Sequence, residues 1–168
     1  MAQKTRVSLP DDDYLLLVGQ MAYMVGSLEG TIPFDLPGLA QYLPADLNPS
    51  ALAGKTTGAL AGALTKAAPS ITNDDIRAYV ELAASVLKEV SSRRNDLLHA
   101  RPATVDGEQR LYRWKTDDHR GPHLTFAIST DWLEAEVDRL SEAAVALDAA
   151  RPLDLNTAFA ADKAEDGV

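Results

Sequence analysis

The stretch that decides the fold runs from Asn73 to Pro102, NDDIRAYVELAASVLKEVSSRRNDLLHARP. Its apolar residues Ile76, Val80, Ala83, Leu87, Val90 and Leu98 recur at helical spacing on one stripe, which predicts a long amphipathic helix. Thr72 or Asn73, ahead of Asp74 and Asp75, offers an N-cap. Pro102 blocks continuation and biases Arg101 away from helical dihedrals, so His99 falls in the last turn, near the carbonyl end of the helix dipole. Arg94 lies in line with the apolar stripe, where an unpaired guanidinium is costly to bury. It therefore demands a partner, either a carboxylate of the same chain or a polar cleft at a subunit interface that opens to a phosphate. Asn95 and His99 stand one turn apart, about 40° from each other around the axis, so the amide can orient the imidazole or share its substrate.

Histidine has the side chain whose unperturbed pKa lies nearest neutrality, and arginine stays charged at any usable pH. Together they suit a reaction that moves protons while charge builds on a phosphate. An ordinary helix-capping histidine explains the same position equally well.

The pattern Arg94-Asn95-x-x-x-His99, at the carboxyl end of a long helix in a small helical chain, resembles the HEPN superfamily, whose motif is Arg, four to six residues, His. The resemblance implies a bundle of about four or five helices. It also implies that active members are metal-independent endoribonucleases whose two motif copies meet at a homodimer interface, while others serve as binding or dimerisation modules. On it rests the catalytic set: His99 to transfer a proton, Arg94 to neutralise charge on the phosphate and Asn95 to orient one of them. RNA would supply its own 2′-OH as nucleophile and leave 2′,3′-cyclic phosphate ends. A toxin or a phage-defence effector fits such chemistry; the alternative is a non-catalytic accessory or antitoxin-like module that binds another protein, and a helical protein of unrelated family is the third reading. The looser spacing occurs again from Arg113 to His119, in a segment that reads as strand and turn.

With 168 residues, 46% of them hydrophobic, the chain is long enough for one sizeable core and short for two domains. It holds no cysteine, and its three histidines lack HxxxH or HExxH spacing, so neither a disulfide, a thiolate site nor zinc is expected, and no cofactor is called for. No run of about 18 apolar residues and no apolar leader is read here, giving the expectation of a cytoplasmic protein that does not engage a membrane.

The net charge of −9 argues against a broadly basic surface for nucleic acid. The mean conceals an asymmetry: residues 93–123 carry seven basic residues against five acids, leaving −11 for the remainder. Arg93, Arg101, Arg110, Arg113 and Lys115 are accordingly the candidate RNA-facing patch, set against the plainer reading that polar loops collect charge.

Residues 1–10 read as a flexible lead-in, 11–150 as one helical domain and 151–168 as an acidic tail that is either disordered or docked on a partner. Helices are predicted at 11–31, 56–68, 73–100 and 130–150. The segment 32–54, with Pro33, Pro37, Pro44 and Pro49, reads as a folded connector that interrupts long helices. Glu29, at the end of the first apolar stripe, is a candidate counter-ion for Arg94, beside its reading as an exposed solubilising residue. Asp106-Gly107 marks a turn, and the alternating segments Gln109–Lys115 and Leu124–Ser129 predict a hairpin separated by a polar loop, Thr116–His123. The fold class expected is thus mainly α, an antiparallel helical bundle with a β-hairpin after the motif helix.

Overall fold

A computed structural model describes residues 8–45, 47, 49–117, 121–152 and 155. Among these the chain is mainly helical, in the order α1 (Asp12–Leu39), α2 (Pro49–Ala53), α3 (Thr57–Ala67), a 3-10 turn at Ala68–Ser70, α4 (Asp74–Leu98) and α5 (Thr130–Ala149). Strands β1 (Ala100–Val105), β2 (Glu108–Asp117) and β3 (Gly121–Ile128) stand between α4 and α5. α1 packs against α4 and α5, and α3 against α4.

Four helix starts follow local chemistry. The side chains of Asp11, Thr56, Asn73 and Ser129 accept the backbone N–H of Tyr14, Ala59, Ile76 and Trp132, satisfying donors that the first helical turn leaves without partners.

α1 corrects the expectation of a helix ending near Thr31. It runs on through Pro33 and Pro37 to Leu39, where a connector was predicted. A proline inside a helix costs roughly 3 kcal/mol, but Ile32, Leu36 and Leu39 continue the buried face, and burying each such side chain contributes about 1.5–3 kcal/mol. Both prolines fall off the buried face of α1, Pro33 half-buried and Pro37 exposed, so the missing N–H groups lie where the helix can open toward water.

One core joins these helices: Met21, Leu28 and Ile32 of α1, Leu60 and Leu64 of α3, Tyr79, Leu87 and Val90 of α4, and Leu133 and Leu140 of α5 are all buried. The helical stripe of α4 holds as far as Val90 and then shifts. Leu97 is buried and Leu98, expected on the stripe, is 68% exposed. Near its carboxyl end α4 contacts β2 as well as the helices, so the covered side rotates toward Leu97 and the side bearing Leu98 opens to solvent.

The sheet also exceeds the expectation. It is a three-stranded antiparallel meander in the order β1-β2-β3, with Leu111 opposite Ile128 and Pro102 opposite Leu111. β1 is an edge strand, the position where a proline costs no inter-strand bond; its one-sided, mostly exposed residues carry no apolar alternation that the sequence reading could use. Asp106 and Gly107 form the β1–β2 turn with φ of 53° and 82°, the backbone that a two-residue hairpin loop requires. β2 reaches Asp117 and β3 begins at Gly121, so the expected polar loop Thr116–His123 is mostly strand. His119 and Arg120 lie outside the described residues.

Tyr14 fastens the sheet to the bundle. Its buried hydroxyl donates to the Ile128 carbonyl at 2.8 Å and accepts the Leu111 N–H at 3.0 Å, standing between two groups of paired strand residues. Phe126 and Trp132 continue the seam with ring centroids 5.6 Å apart.

Beyond α5, Arg151 and Leu155 return to α1. Leu155 is buried, and its Cδ2 lies 2.6 Å from where a Cβ on Gly38 would stand, so a larger residue there would have to displace the Leu155 methyl. Residues 1–7 of the expected lead-in, and 153–154 and 156–168 of the expected tail, lie outside the described residues.

By length and composition α1 is a helix long and apolar enough to cross a membrane, although one such helix near the N-terminus is also what a bundle core supplies. Gly19, Gln20, Gly26, Ser27 and Glu29 interrupt its apolar run, and a single charge, Glu29, stands between Tyr14 and Phe34.

Candidate functional site

The carboxyl end of α4 places Arg94 and Asn95 in its last two turns and His99 at its C-cap, with φ −97° and ψ 5°. The His99 N–H closes the helix on the Asn95 carbonyl at 3.1 Å, so the two residues one turn apart are joined through backbone. The His99 side chain is exposed and, among the described residues, bonds to no other side chain.

Arg94 finds its counter-ion within the chain. Its Nη1 donates to Glu29 Oε1 at 2.9 Å and to Thr57 Oγ1 at 3.4 Å, and its Nη2 approaches Asn95 Oδ1 at 3.4 Å. The Thr57 hydroxyl donates to the same Glu29 oxygen, so three elements, α1, α3 and α4, meet at this carboxylate. Close approach of α3 is built in: a Cβ on Gly58 would stand 3.3 Å from Ser91 Oγ of α4. The side chains of Arg94 and Glu29 remain 29% and 23% exposed, so the pair is half-buried and open to solvent on one side. The need for a partner that the sequence imposed on Arg94 is met without a second subunit.

The five residues of the candidate RNA-facing patch fare differently. Arg93 lies 3.0 Å from the buried Glu136 of α5 and 3.6 Å from Asp96; the Arg93 Nε and Glu136 Oε2 face each other without in-line hydrogen-bond geometry. Arg113 of β2 reaches Asp96 at 3.3 Å, and Arg139 joins Glu136 to Glu89 at 3.3 Å each. Arg110 pairs with Asp11 at 2.8 Å and Glu108 at 3.1 Å, and its guanidinium stands 4.7 Å over the Tyr14 ring. Three of the five are thus tied into ion pairs that hold β2, α4, α5 and the start of α1 together. Arg101 is exposed on β1 and has no ion-pair partner among the described residues. The Lys115 side chain lies outside the described residues.

Comparison with family models, with curated proteins and with solved structures returned no match.

A second polar cluster, which the sequence reading missed, occupies the opposite end of α4. Asp35, between the two prolines of α1, is 2% exposed; Tyr79 donates its hydroxyl to Asp35 Oδ2, and Arg151 Nε donates to the same oxygen at 3.2 Å. Burial, reinforced by the Asp35 carboxylate, pushes the Tyr79 phenol well above its ordinary value, so this hydroxyl is a permanent donor. A cleft of about 670 Å³ opens beside Tyr79, Leu82, Arg151 and Pro152. Its sequence signals were slight: an aspartate at a position where the α1 stripe continues, and a tyrosine on the buried face of α4. Among the described residues no group of three His, Asp or Glu side chains is placed to hold a metal ion.

Proposed function

We propose that the chain is a metal-independent endoribonuclease of HEPN type that acts as a cytoplasmic homodimer, with Arg94, Asn95 and His99 as its catalytic set. The observation that carries the reading is the posture of Arg94. Glu29 and Thr57 grip Nη1, Nη2 turns toward Asn95, and the half-buried pair stays reachable from solvent. A partly exposed ion pair contributes about 0–1 kcal/mol, so it orients the guanidinium without withholding it from a phosphate. Exposed His99, one residue beyond the helix, supplies the proton-transfer group. In the reaction the 2′-oxygen of the substrate bonds to phosphorus, the bond from phosphorus to the 5′-oxygen breaks, one proton leaves the 2′-OH and one reaches the departing oxygen. Positive charge from Arg94 stabilises the phosphorane-like state between them. A toxin or phage-defence effector is the biological role that suits this activity.

The test is incubation of the purified chain with total RNA in EDTA, followed by detection of 2′,3′-cyclic phosphate ends. Arg94→Ala and His99→Ala should each lower the rate by about 10²–10⁴ while the far-UV spectrum stays unchanged, and Asn95→Ala should lower it less. Cutting that survives His99→Ala would end the assignment.

One observation favours a second reading. The charge of Arg94 is already balanced inside the chain by Glu29, as a structural ion pair would be. On this reading the chain is a non-catalytic HEPN-like module that binds another protein, in an accessory or antitoxin-like role, and a well-folded wild type inert toward diverse RNAs is the outcome that selects it.

A further inference from the structure

We infer that the cleft beside Asp35 binds a small organic cation, a primary ammonium carried on an apolar stem. Asp35 is 2% exposed, deep enough that each of its carboxylate oxygens calls for a donor. One oxygen has two: Oδ2 accepts the Tyr79 hydroxyl and, at 3.2 Å, the Arg151 Nε. The other has none. Oδ1 is buried and meets no hydrogen-bond donor among the described residues.

Asp35 borders a cleft of about 410 Å³ together with Thr31, Phe34 and Arg151. Thr31 precedes Asp35 by one helical turn, so the two side chains are neighbours on α1. The Thr31 hydroxyl donates its proton to the Ser27 carbonyl at 3.0 Å, which leaves the lone pairs of Oγ1 to accept. Phe34 is 68% exposed and brings an aromatic surface to the same cleft, of the kind that attracts a cation. Two acceptors beside an apolar wall are the complement of an ammonium group and its stem.

Charge selects the cation. Arg151 is divided between two acids, with Nε on Asp35 and Nη1 on Asp148 at 3.1 Å. Tyr79 stays neutral, because burial and the adjoining carboxylate push its phenol well above the ordinary value. Asp35, Asp148, Arg151 and Tyr79 together therefore carry one net negative charge, which a single ammonium balances. A neutral hydroxyl would reach Oδ1 but leave that charge uncompensated. A divalent metal would need more oxygen ligands, and among the described residues no three acidic or histidine side chains converge. Tyr79 lies toward the start of α4 and Arg94 toward its end, so the inference stands whether or not the chain cleaves RNA.

The experiment titrates the full chain with phenethylammonium chloride and follows backbone amide shifts, in about 0.15 M salt to screen loose attraction of cations to an acidic protein. Shifts at Thr31 and Arg151 should saturate with a Kd of about 1 mM. Phenethyl alcohol, the neutral analogue of the same shape, should bind at least about ten-fold more weakly. Asp35→Asn should weaken phenethylammonium at least about ten-fold as well. Thr31→Lys keeps Asp35 and its partners while setting a lysine ammonium four residues before the carboxylate, so it should block the probe and leave the fold intact. That variant decides the matter if Asp35→Asn does not fold. Shifts that fail to saturate by about 20 mM, equal binding of the alcohol, or unchanged binding to either folded variant would overturn the inference.

Discussion

Arg94 and Glu29, 65 positions apart, close an ion pair at 2.9 Å between α4 and α1, and the Thr57 hydroxyl of α3 completes it. A half-buried helix position that carries a cation is best satisfied by such a carboxylate beside it, and here the carboxylate comes from the neighbouring helix. The same contact orders the residue on which the proposed chemistry depends.

Because the Arg94–Glu29 pair is half-exposed, its coupling should be modest. In a double-mutant cycle of Arg94→Gln and Glu29→Gln, urea unfolding should return an interaction of about 0.5–1 kcal/mol. Zero coupling would mean that the pair orients Arg94 without adding to stability.

Glu136 is the more demanding carboxylate, 3% exposed and flanked by Arg93 and Arg139. Arg93→Ala should destabilise the chain by about 2–4 kcal/mol, since it strands a buried charge with the more exposed Arg139 alone. Pairing that change with Glu136→Leu should recover part of the loss; urea midpoints measure both. A single variant as stable as wild type would contradict the burial of the pair.

Tyr14→Phe deletes one hydroxyl and leaves the Leu111 N–H and the Ile128 carbonyl without it. The expected cost is about 2 kcal/mol. Amide exchange at Leu111 should accelerate more than exchange in the middle of α4, because the seam between α1 and the sheet opens first.

Asp11 supplies a pH dependence. The Tyr14 N–H, and Arg110 beside it, hold its carboxyl below the usual carboxylate range against the opposing effect of desolvation. A depressed folded value means that the stabilisation is present above the unfolded value and is lost as pH falls through the folded one. Asp11→Asn keeps a capping oxygen but no titration, so wild type should melt above the variant near pH 6, with the gap closing from about pH 4 downward. A gap that persists unchanged at pH 2 would refute the assignment.

Much of the helical frame was legible from short-range chemistry. The starts near Asn73 and Thr130 and the positive-φ turn at Asp106-Gly107 all depend on residues within four positions of one another. The candidate site was legible in the same way: the Arg94, Asn95 and His99 spacing on one helix end needs no tertiary information. What those residues touch was legible only in part: Glu29, at the end of the first apolar stripe, stood as a candidate counter-ion for Arg94 beside its reading as an exposed glutamate, and only the packing of α1 on α4 chose between the two. The basic segment shows the converse: Arg93, Arg110 and Arg113 look alike as charges, and only the packing of α5 and β2 commits them to Glu136, Asp11 and Asp96.

The sequence by itself determined where four helices begin, which faces of them are apolar, and where the β1–β2 chain reversal falls, because caps, 3.6-residue periodicity and a left-handed turn act between near neighbours. Tertiary structure alone decided that α1 continues through Pro33 and Pro37, that residues 100–105 join the sheet as an edge strand, and which arginines keep an uncommitted charge. The physical reason is range. Local propensities are worth about a kcal/mol or less per residue, whereas burial of Ile32, Leu36 and Leu39, pairing with β2, and ion pairs reaching across 65 or 99 positions exist only once the bundle has assembled.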